Sequence, residues 1–316
     1  MFSKVKKQKI LVVISLLICS LFLAAYGDNL QPAAGDPVEE QENLEFQQPE
    51  GKKGILVISF GTSYPETRKV TIDACEEKIA ESFPDYEVRR AFTSSIIIKK
   101  LKERDNIIID TPEEALSKMK EEGFTKVIVQ PLHIIPGYEY EEVLAVVNNF
   151  KDSFEQLTVG RPVLYGIEDY KQAVEALKQQ LPALDKDHAV VLMGHGTTHP
   201  ANACYSCLQS MLDDEGLKVF VGVVEGYPGI DNVIAKLKRN NIKEVTLMPY
   251  MLVAGDHAVN DMAGDEEDSW KSILQREGFV VNIYLHGLGE NIGYQEIYVQ
   301  RVKDCIDGNP LGIKEE

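Results

Sequence analysis

Short apolar runs alternate with longer amphipathic stretches along most of the chain. The first run, residues 55–60, lies between Gly54 and Gly61, a pattern typical of a strand buried on both faces. Five further runs predict strands at 126–132, 188–193, 218–224, 244–248 and 280–285. The stretches between them predict amphipathic helices, for example at 66–82, 112–122, 140–150, 170–180 and 291–307. This alternation predicts an α/β fold of parallel sheets flanked by helices.

The two halves of the chain resemble each other. Segment 57–65 ends in Gly-Thr-Ser-Tyr-Pro and parallels 192–200, which ends in Gly-Thr-Thr-His-Pro, at an offset of 135 residues. Segments 126–139 and 244–257 share a strand, a Pro and a Gly at an offset of 118. Motifs that occur once in each half indicate a duplicated unit. We predict two similar domains, 53–182 and 183–316, with the active site in the cleft between them.

The first 50 residues depart from this pattern. Residues 1–27 carry four Lys, no acid and an apolar run before Ala25-Tyr-Gly, which predicts a secretory signal peptide. An uncleaved anchor and a lipid attached at Cys19 are the alternatives. Residues 28–50 carry seven acids, three Pro and no Lys or Arg, which predicts a disordered acidic linker. We therefore expect an exported, periplasmic or other extracytoplasmic protein that meets the membrane only through its signal or a lipid anchor.

The charge and the cysteines exclude several classes of protein. Taking the signal and the linker out of the net charge of -17 leaves -14 on residues 51–316. An acidic surface argues against a nucleic-acid partner, since such partners attract Lys and Arg. Five scattered Cys do not make a disulfide scaffold. Cys204 and Cys207 form a CxxC within a predicted helix, so we interpret them as half-buried thiols, with a redox or metal role as the alternative.

Candidate chemistry stands where the two repeats differ. Phe60 of the first half corresponds to His195 of the second, and Glu139 corresponds to His257. Another predicted strand ends at Glu225, a carboxylate that is costly to bury unless it is paired or bound to a metal. Two imidazoles and one carboxylate form a common open site for a divalent transition metal. From spacing alone, structural histidines remain the alternative. The histidines with mainly structural interpretations are His133, His188, His199 and His286.

Longer motifs resemble a known family. These motifs include Ser59-Phe-Gly-Thr-Ser-Tyr64, Leu132-His-Ile-Ile135, Met193-Gly-His195-Gly, Leu247-Met-Pro249 and Met251-Leu-Val-Ala-Gly-Asp-His257. In the order in which they follow one another along residues 53 to about 295, these motifs resemble those of the anaerobic-type cobalt chelatases. That family inserts cobalt into sirohydrochlorin on the way to cobalamin, and its fold is similar to that of ferrochelatase. Export is a departure from the family, because cobalamin synthesis belongs in the cytoplasm.

The resemblance implies a set of roles for this chain. It implies that His195, Glu225 and His257 hold the metal, and that His195, Glu139 and His257 are catalytic, with Glu139 accepting protons. It implies a chelatase of the lyase class whose substrates are the tetrapyrrole sirohydrochlorin and a divalent metal, Co²⁺ or alternatively Fe²⁺. An extracytoplasmic carrier of a tetrapyrrole or metal is the main alternative, a two-lobed solute-binding protein is another, and homo-oligomer formation stays open.

The implied substrate is a polyanion, whereas residues 51–316 are acidic. Local positive charge or backbone N–H groups must therefore receive its carboxylates. The basic candidates that follow the first strand ends are Arg68, Arg89, Arg90, Lys99 and Lys100.

Overall fold

The computed structural model describes residues 51–313, and these form two four-stranded parallel sheets. The predicted signal peptide and acidic linker lie outside the described residues. Between 51 and 313, no helix is both long enough and apolar enough to cross a membrane.

The two sheets have the same strand order. The strands of the first sheet are β1 (Lys52–Ser59), β2 (Glu87–Phe92), β3 (Phe124–Pro131) and β4 (Gln156–Val159). Those of the second are β5 (His188–Gly196), β6 (Val219–Glu225), β7 (Glu244–Pro249) and β8 (Val280–Ile283). The first sheet runs β2-β1-β3-β4 and the second β6-β5-β7-β8, so adding four to each strand number converts one order into the other. The predicted α/β fold and its duplication are confirmed.

Helices connect the strands on both faces of each sheet. In the first half they are α1 (Pro65–Arg68), α2 (Ala74–Ser82), α3 (Ser95–Asp105), α4 (Pro112–Glu121), α5 (Tyr138–Asn149) and α6 (Ile167–Lys178). In the second half they are α7 (Ala203–Asp214), α8 (Ile230–Arg239), α9 (Trp270–Arg276) and α10 (Ile292–Ile306). Two π-helical segments, Lys69–Asp73 and Ala258–Met262, and two 3₁₀ turns, Pro200–Asn202 and Leu288–Glu290, complete the connections.

All six predicted strands are present, and two more were missed. The missed strands, β2 and β4, are the edges of the first sheet. Strand β2 reads Glu-Val-Arg-Arg-Ala-Phe and β4 only Gln-Leu-Thr-Val, so neither shows the continuous apolar run of a strand buried on both faces. Hydrophobicity alone therefore did not reveal these two edge strands, whereas the edge strands of the second sheet, β6 and β8, have the apolar runs that predicted them.

The central strands bury both of their faces in different cores. In β1, Ile55 and Val57 belong to the largest buried cluster, whereas Leu56 and Ile58 belong to a second one. In β5, Val190 and Leu192 join that same largest cluster, and the alternate residues join a third one. Successive side chains of a strand point to opposite faces, so the shared cluster lies on one face of each sheet and joins the two halves.

The last helix returns to the first half of the chain. Helix α10 packs on α2, α6 and β3. A buried ion network fastens it there: Arg301 Nη2 lies 2.9 Å from Asp169 Oδ1, and Arg161 binds both Asp169 and Asp304. Buried charges are stable only when they are paired, so this network specifies how α10 docks. The predicted division between 53–182 and 183–316 stays a prediction.

Candidate active site

A cleft of about 680 Å³ opens at the carboxyl ends of the central strands. The loops after β1, β3 and β7 line it, together with the last residues of β5 and β6. Ligands of parallel α/β sheets bind outside these strand ends, where loops from neighbouring strands converge. The cleft therefore brings together the four residues selected from the sequence, Glu139, His195, Glu225 and His257.

Two imidazoles meet in this cleft. The ring centroids of His195 and His257 are 4.8 Å apart, and the ring planes are nearly perpendicular at 85°. Nδ1 of His195 lies 3.0 Å from the carbonyl oxygen of Gly196, and Nδ1 of His257 contacts the carboxylate of Asp261. Both partners are acceptors, so each Nδ1 carries the hydrogen when the ring is neutral. The lone pair of each ring then lies on Nε2, the arrangement that a metal ligand requires.

A tight turn at the end of β5 presents His195. Gly196 has φ +80°, and a Cβ on this residue would lie 1.8 Å from the backbone oxygen of Glu225. Only glycine therefore allows β5 and β6 to approach so closely at this point. Behind the turn, the Gly196 N–H donates to the hydroxyl of Tyr205 at 3.4 Å, and burial raises the pKa of Tyr205 to about 12.

Glu139 lies in the first turn of α5, and its neighbour is His133. The distance from His133 Nε2 to Glu139 Oε2 is 3.1 Å. The His133 side chain is 9% exposed and that of Glu139 is 42% exposed, so the carboxylate reaches solvent while the imidazole stands behind it. A solvent-exposed carboxylate in a cleft can accept a proton from a bound ligand.

Glu225 lies in the same cleft but is exposed at the end of β6. Because the strand end leaves this carboxylate in solvent, burial does not require it to be paired or bound to a metal. Within residues 51–313, no three His, Cys, Asp or Glu side chains are close enough together to hold a metal ion. The structure thus brings the two histidines into contact and places Glu225 in the same cleft without completing a three-ligand cluster.

Two polar contacts cross the cleft between the halves. The hydroxyl of Tyr64 donates to Asp256 Oδ1 at 3.1 Å, and this hydrogen bond raises the pKa of Tyr64. The other contact joins His199 and Glu141. Nδ1 of His199 accepts the N–H of Ala201, so the hydrogen of the imidazole lies on Nε2, which donates to Glu141 at 3.1 Å. His199 lies at the start of a 3₁₀ turn, as the sequence predicted.

The internal repeat relates the Tyr64–Asp256 hydrogen bond to a further contact of His199, which is made with Tyr138. Tyr64 corresponds to His199 at the offset of 135, and Tyr138 corresponds to Asp256 at the offset of 118. The rings of Tyr138 and His199 pack edge to face with centroids 4.7 Å apart, the counterpart of the Tyr64–Asp256 hydrogen bond. In the duplicated fold, segment 57–65 of the first half therefore contacts segment 244–257 of the second, and segment 192–200 of the second half contacts segment 126–139 of the first.

Of the five basic candidates, Lys100 lines the cleft, Arg89, Arg90 and Lys99 pair with carboxylates, and Arg68 has buried Nε and Nη1 atoms without a hydrogen-bond partner among the described residues. Arg89 pairs with Glu87 and Glu122, and Arg90 pairs with Asp73 and Glu76. In the part of the chain that the structure describes, Lys100 is the only Lys or Arg that lines the cleft. Its Nζ lies 5.9 Å from the centroid of the Tyr64 ring. Ser94 caps the helix that carries Lys100 by accepting the Ile97 N–H.

The remaining candidates lie away from this chemistry. His188 is buried with Nε2 2.9 Å from Thr246 Oγ1, and His286 contacts Glu290, which agrees with structural roles. Cys204 and Cys207 are free, half-buried thiols on α7, as the sequence predicted.

Comparison with known proteins identifies the family. The family described as Cobalt chelatase (CbiK) matches residues 53–307. The chain belongs to the cobalt chelatase family. Its sequence is 45% identical over 256 residues to the sirohydrochlorin cobaltochelatase of Salmonella typhimurium, an alignment that covers 81% of this chain and 97% of that protein. It is 38% identical over 278 residues to the sirohydrochlorin cobaltochelatase CbiKC of Nitratidesulfovibrio vulgaris, covering 86% of this chain and 95% of that protein.

Solved structures support the chelatase fold. SirB from Bacillus subtilis with Fe³⁺ aligns with a TM-score of 0.55 at 18% identity, over 80% of this chain and 95% of its own. DR2241 from Deinococcus radiodurans, described as similar to chelatases, aligns with a TM-score of 0.54 at 12% identity, over 84% of this chain and 56% of its own. The family resemblance seen in the motifs is confirmed, and this cobalt chelatase family member is a metal chelatase.

Two site features were missed from the sequence. Asp261 is the partner of His257, and their spacing of four residues within one helical turn was an available signal. The contact between Tyr64 and Asp256 had no such signal, because the repeat shows which loops correspond and not which loops meet.

Proposed function

We propose that this chelatase inserts Co²⁺ into sirohydrochlorin and releases two protons. The observation that carries the proposal is the pair of imidazoles in one cleft, His195 and His257, each with Nδ1 bonded to an acceptor and Nε2 left for a metal. The two relatives named above as sirohydrochlorin cobaltochelatases support the same substrates. Imidazole is a borderline ligand that suits Co²⁺ and Fe²⁺ better than Mg²⁺, so Fe²⁺ is the alternative metal.

The small number of preassembled ligands suits a metal that has to leave. Closed four-ligand sites retain their metal as a structural element, whereas open sites exchange ligands. Two imidazoles can hold Co²⁺ with Glu225 as an additional ligand from the same cleft, and the remaining positions are free for the pyrrole nitrogens. The metal then passes from protein ligands to the macrocycle.

Insertion also needs a proton acceptor. Two pyrrole N–H bonds break, each electron pair stays on its nitrogen to bind the metal, and each proton moves to a base. Glu139 lines the cleft with an exposed carboxylate and can take one of these protons. A carrier protein has no use for such a base, so the carboxylate favours the enzyme over the extracytoplasmic carrier.

We also propose that insertion takes place outside the cytoplasmic membrane. This location rests on residues 1–27 with their four Lys and apolar run, and on the acidic segment that follows.

Lys100 should bind a carboxylate of the macrocycle. Lys100→Met is expected to raise KM for sirohydrochlorin about tenfold with little change in kcat, because a charge-assisted hydrogen bond is lost from substrate binding. Lys99→Met on the same helix is the matched control, since Lys99 pairs with Glu103 and lies outside the cleft lining. Equal KM values for the two variants would exclude Lys100 from substrate binding.

A turnover assay tests the proposed function. With sirohydrochlorin and Co²⁺ in excess over the protein, the enzyme should produce many equivalents of cobalt-sirohydrochlorin. A carrier would stop at one bound equivalent per protein molecule, which would contradict the proposal.

A further inference from the structure

His133 stands behind Glu139 as a buried imidazole beside an exposed carboxylate. The Nε2···Oε2 distance is 3.1 Å, and only 9% of the His133 side chain is exposed against 42% of Glu139. Two backbone hydrogen bonds fix the chain around His133. The Val163 N–H donates to the carbonyl of His133 at 3.1 Å, and the Leu164 N–H donates to the carbonyl of Ile134. His133 is therefore held by a rigid segment that directly follows β3.

The surroundings of His133 determine where its hydrogen lies. Nδ1 is buried and has no hydrogen-bond partner among the described residues. A buried N–H without a partner is rarer than a buried acceptor without one, because an unsatisfied buried donor is costly. The tautomer with hydrogen on Nε2 avoids this cost and donates to Glu139, a carboxylate that can only accept.

We propose that His133 is a positioning residue that holds Glu139 as the proton acceptor of metal insertion. This inference rests on the proposed function, in which Glu139 takes a pyrrole proton. The Nε2–H of His133 occupies Oε2, while Oε1 makes no hydrogen bond among the described residues. Oε1 then receives the proton: the pyrrole N–H bond breaks, an O–H bond forms on Glu139, and the electron pair stays on nitrogen. A fixed base is more effective than one that samples many rotamers.

A matched pair of amide variants tests this role. His133→Gln places an amide N–H near the position of imidazole Nε2 and can still donate to Glu139. His133→Asn is also an amide, but it reaches only the position of Nδ1. We expect H133N to lower kcat about tenfold with KM for sirohydrochlorin unchanged, and H133Q to retain most of the wild-type kcat. A residue that merely packs would give similar losses in both variants.

Glu139→Gln provides the background that separates the two proposals. In E139Q the difference between H133N and H133Q should shrink to less than about twofold, because residues that act through one another are not additive. Equal kcat values for H133N and H133Q, or an unchanged difference in E139Q, would overturn the positioning role. A wild-type rate for E139Q itself would instead contradict the proposed role of Glu139. If H133N does not fold, H133F with H133Q serves the same comparison, and sirohydrochlorin binding by each variant reports its folding.

Discussion

His257→Ala and His195→Ala are each expected to lower the rate of cobalt insertion by at least about 100-fold, since even outer partners of metal ligands are worth about 10- to 100-fold. The two rings lie in contact, with centroids 4.8 Å apart, so either variant leaves only one imidazole of this pair. One neutral imidazole cannot hold a divalent ion against water as two can. The measurement is the initial rate of the absorption change of sirohydrochlorin with Co²⁺, beside Co²⁺ binding by titration.

His286→Ala is the control for this pair. His286 also contacts a carboxylate four residues away, Glu290, but it does not line the cleft. Its removal should leave both the insertion rate and Co²⁺ binding close to wild type. Insertion near the wild-type rate in H195A or in H257A would remove that histidine from the metal site.

Gly196→Ala is expected to destabilise the protein by about 3 kcal/mol or more and to remove most of its activity. The left-handed φ of +80° alone costs an alanine about 1–2 kcal/mol. The added Cβ would also lie 1.8 Å from the backbone oxygen of Glu225, so β5 and β6 must separate where Gly196 pairs with Glu225, beside His195. Urea unfolding and the insertion rate measure the two effects.

Gly216→Ala isolates the backbone cost from the collision. Gly216 also has a left-handed φ, +67°, but a Cβ there would meet no atom within 4 Å. G216A should lower the free energy of unfolding by about 1 kcal/mol and leave the insertion rate unchanged. Equal losses of stability in G196A and G216A would show that close approach at the end of β5 is unimportant.

The central strands of both sheets and the edge strands of the second sheet could be predicted from the sequence, and the edge strands of the first sheet could not. Strands such as β1 and β5 are buried on both faces, so they appear as continuous apolar runs. The edge strands β2 and β4 are half-covered and keep polar residues, so hydrophobicity did not reveal them. The packing of α10 on the first half of the chain could not be predicted either, because the pattern of a helix shows its apolar face and not the surface on which that face packs.

The candidate site was predictable where the repeats differ. Comparing the halves selected His195, Glu139 and His257, and the structure places all three in one cleft. The reason is topological: equivalent loops follow equivalent strands, and their carboxyl ends meet. The exposure of Glu225 could not be predicted, because the sequence of a strand end does not show whether that end is covered or open. The contacts of His133 and Tyr64 depend on side-chain packing and had no pattern in the sequence.

The central claim is that the two-histidine cleft catalyses metal insertion. The most direct measurement follows the absorption of excess sirohydrochlorin with Co²⁺ in three samples: the purified protein, the H195A/H257A double variant, and buffer alone. We expect many turnovers for the protein and the buffer rate for the double variant. A wild-type rate no faster than buffer, or a double variant as fast as wild type, would contradict it.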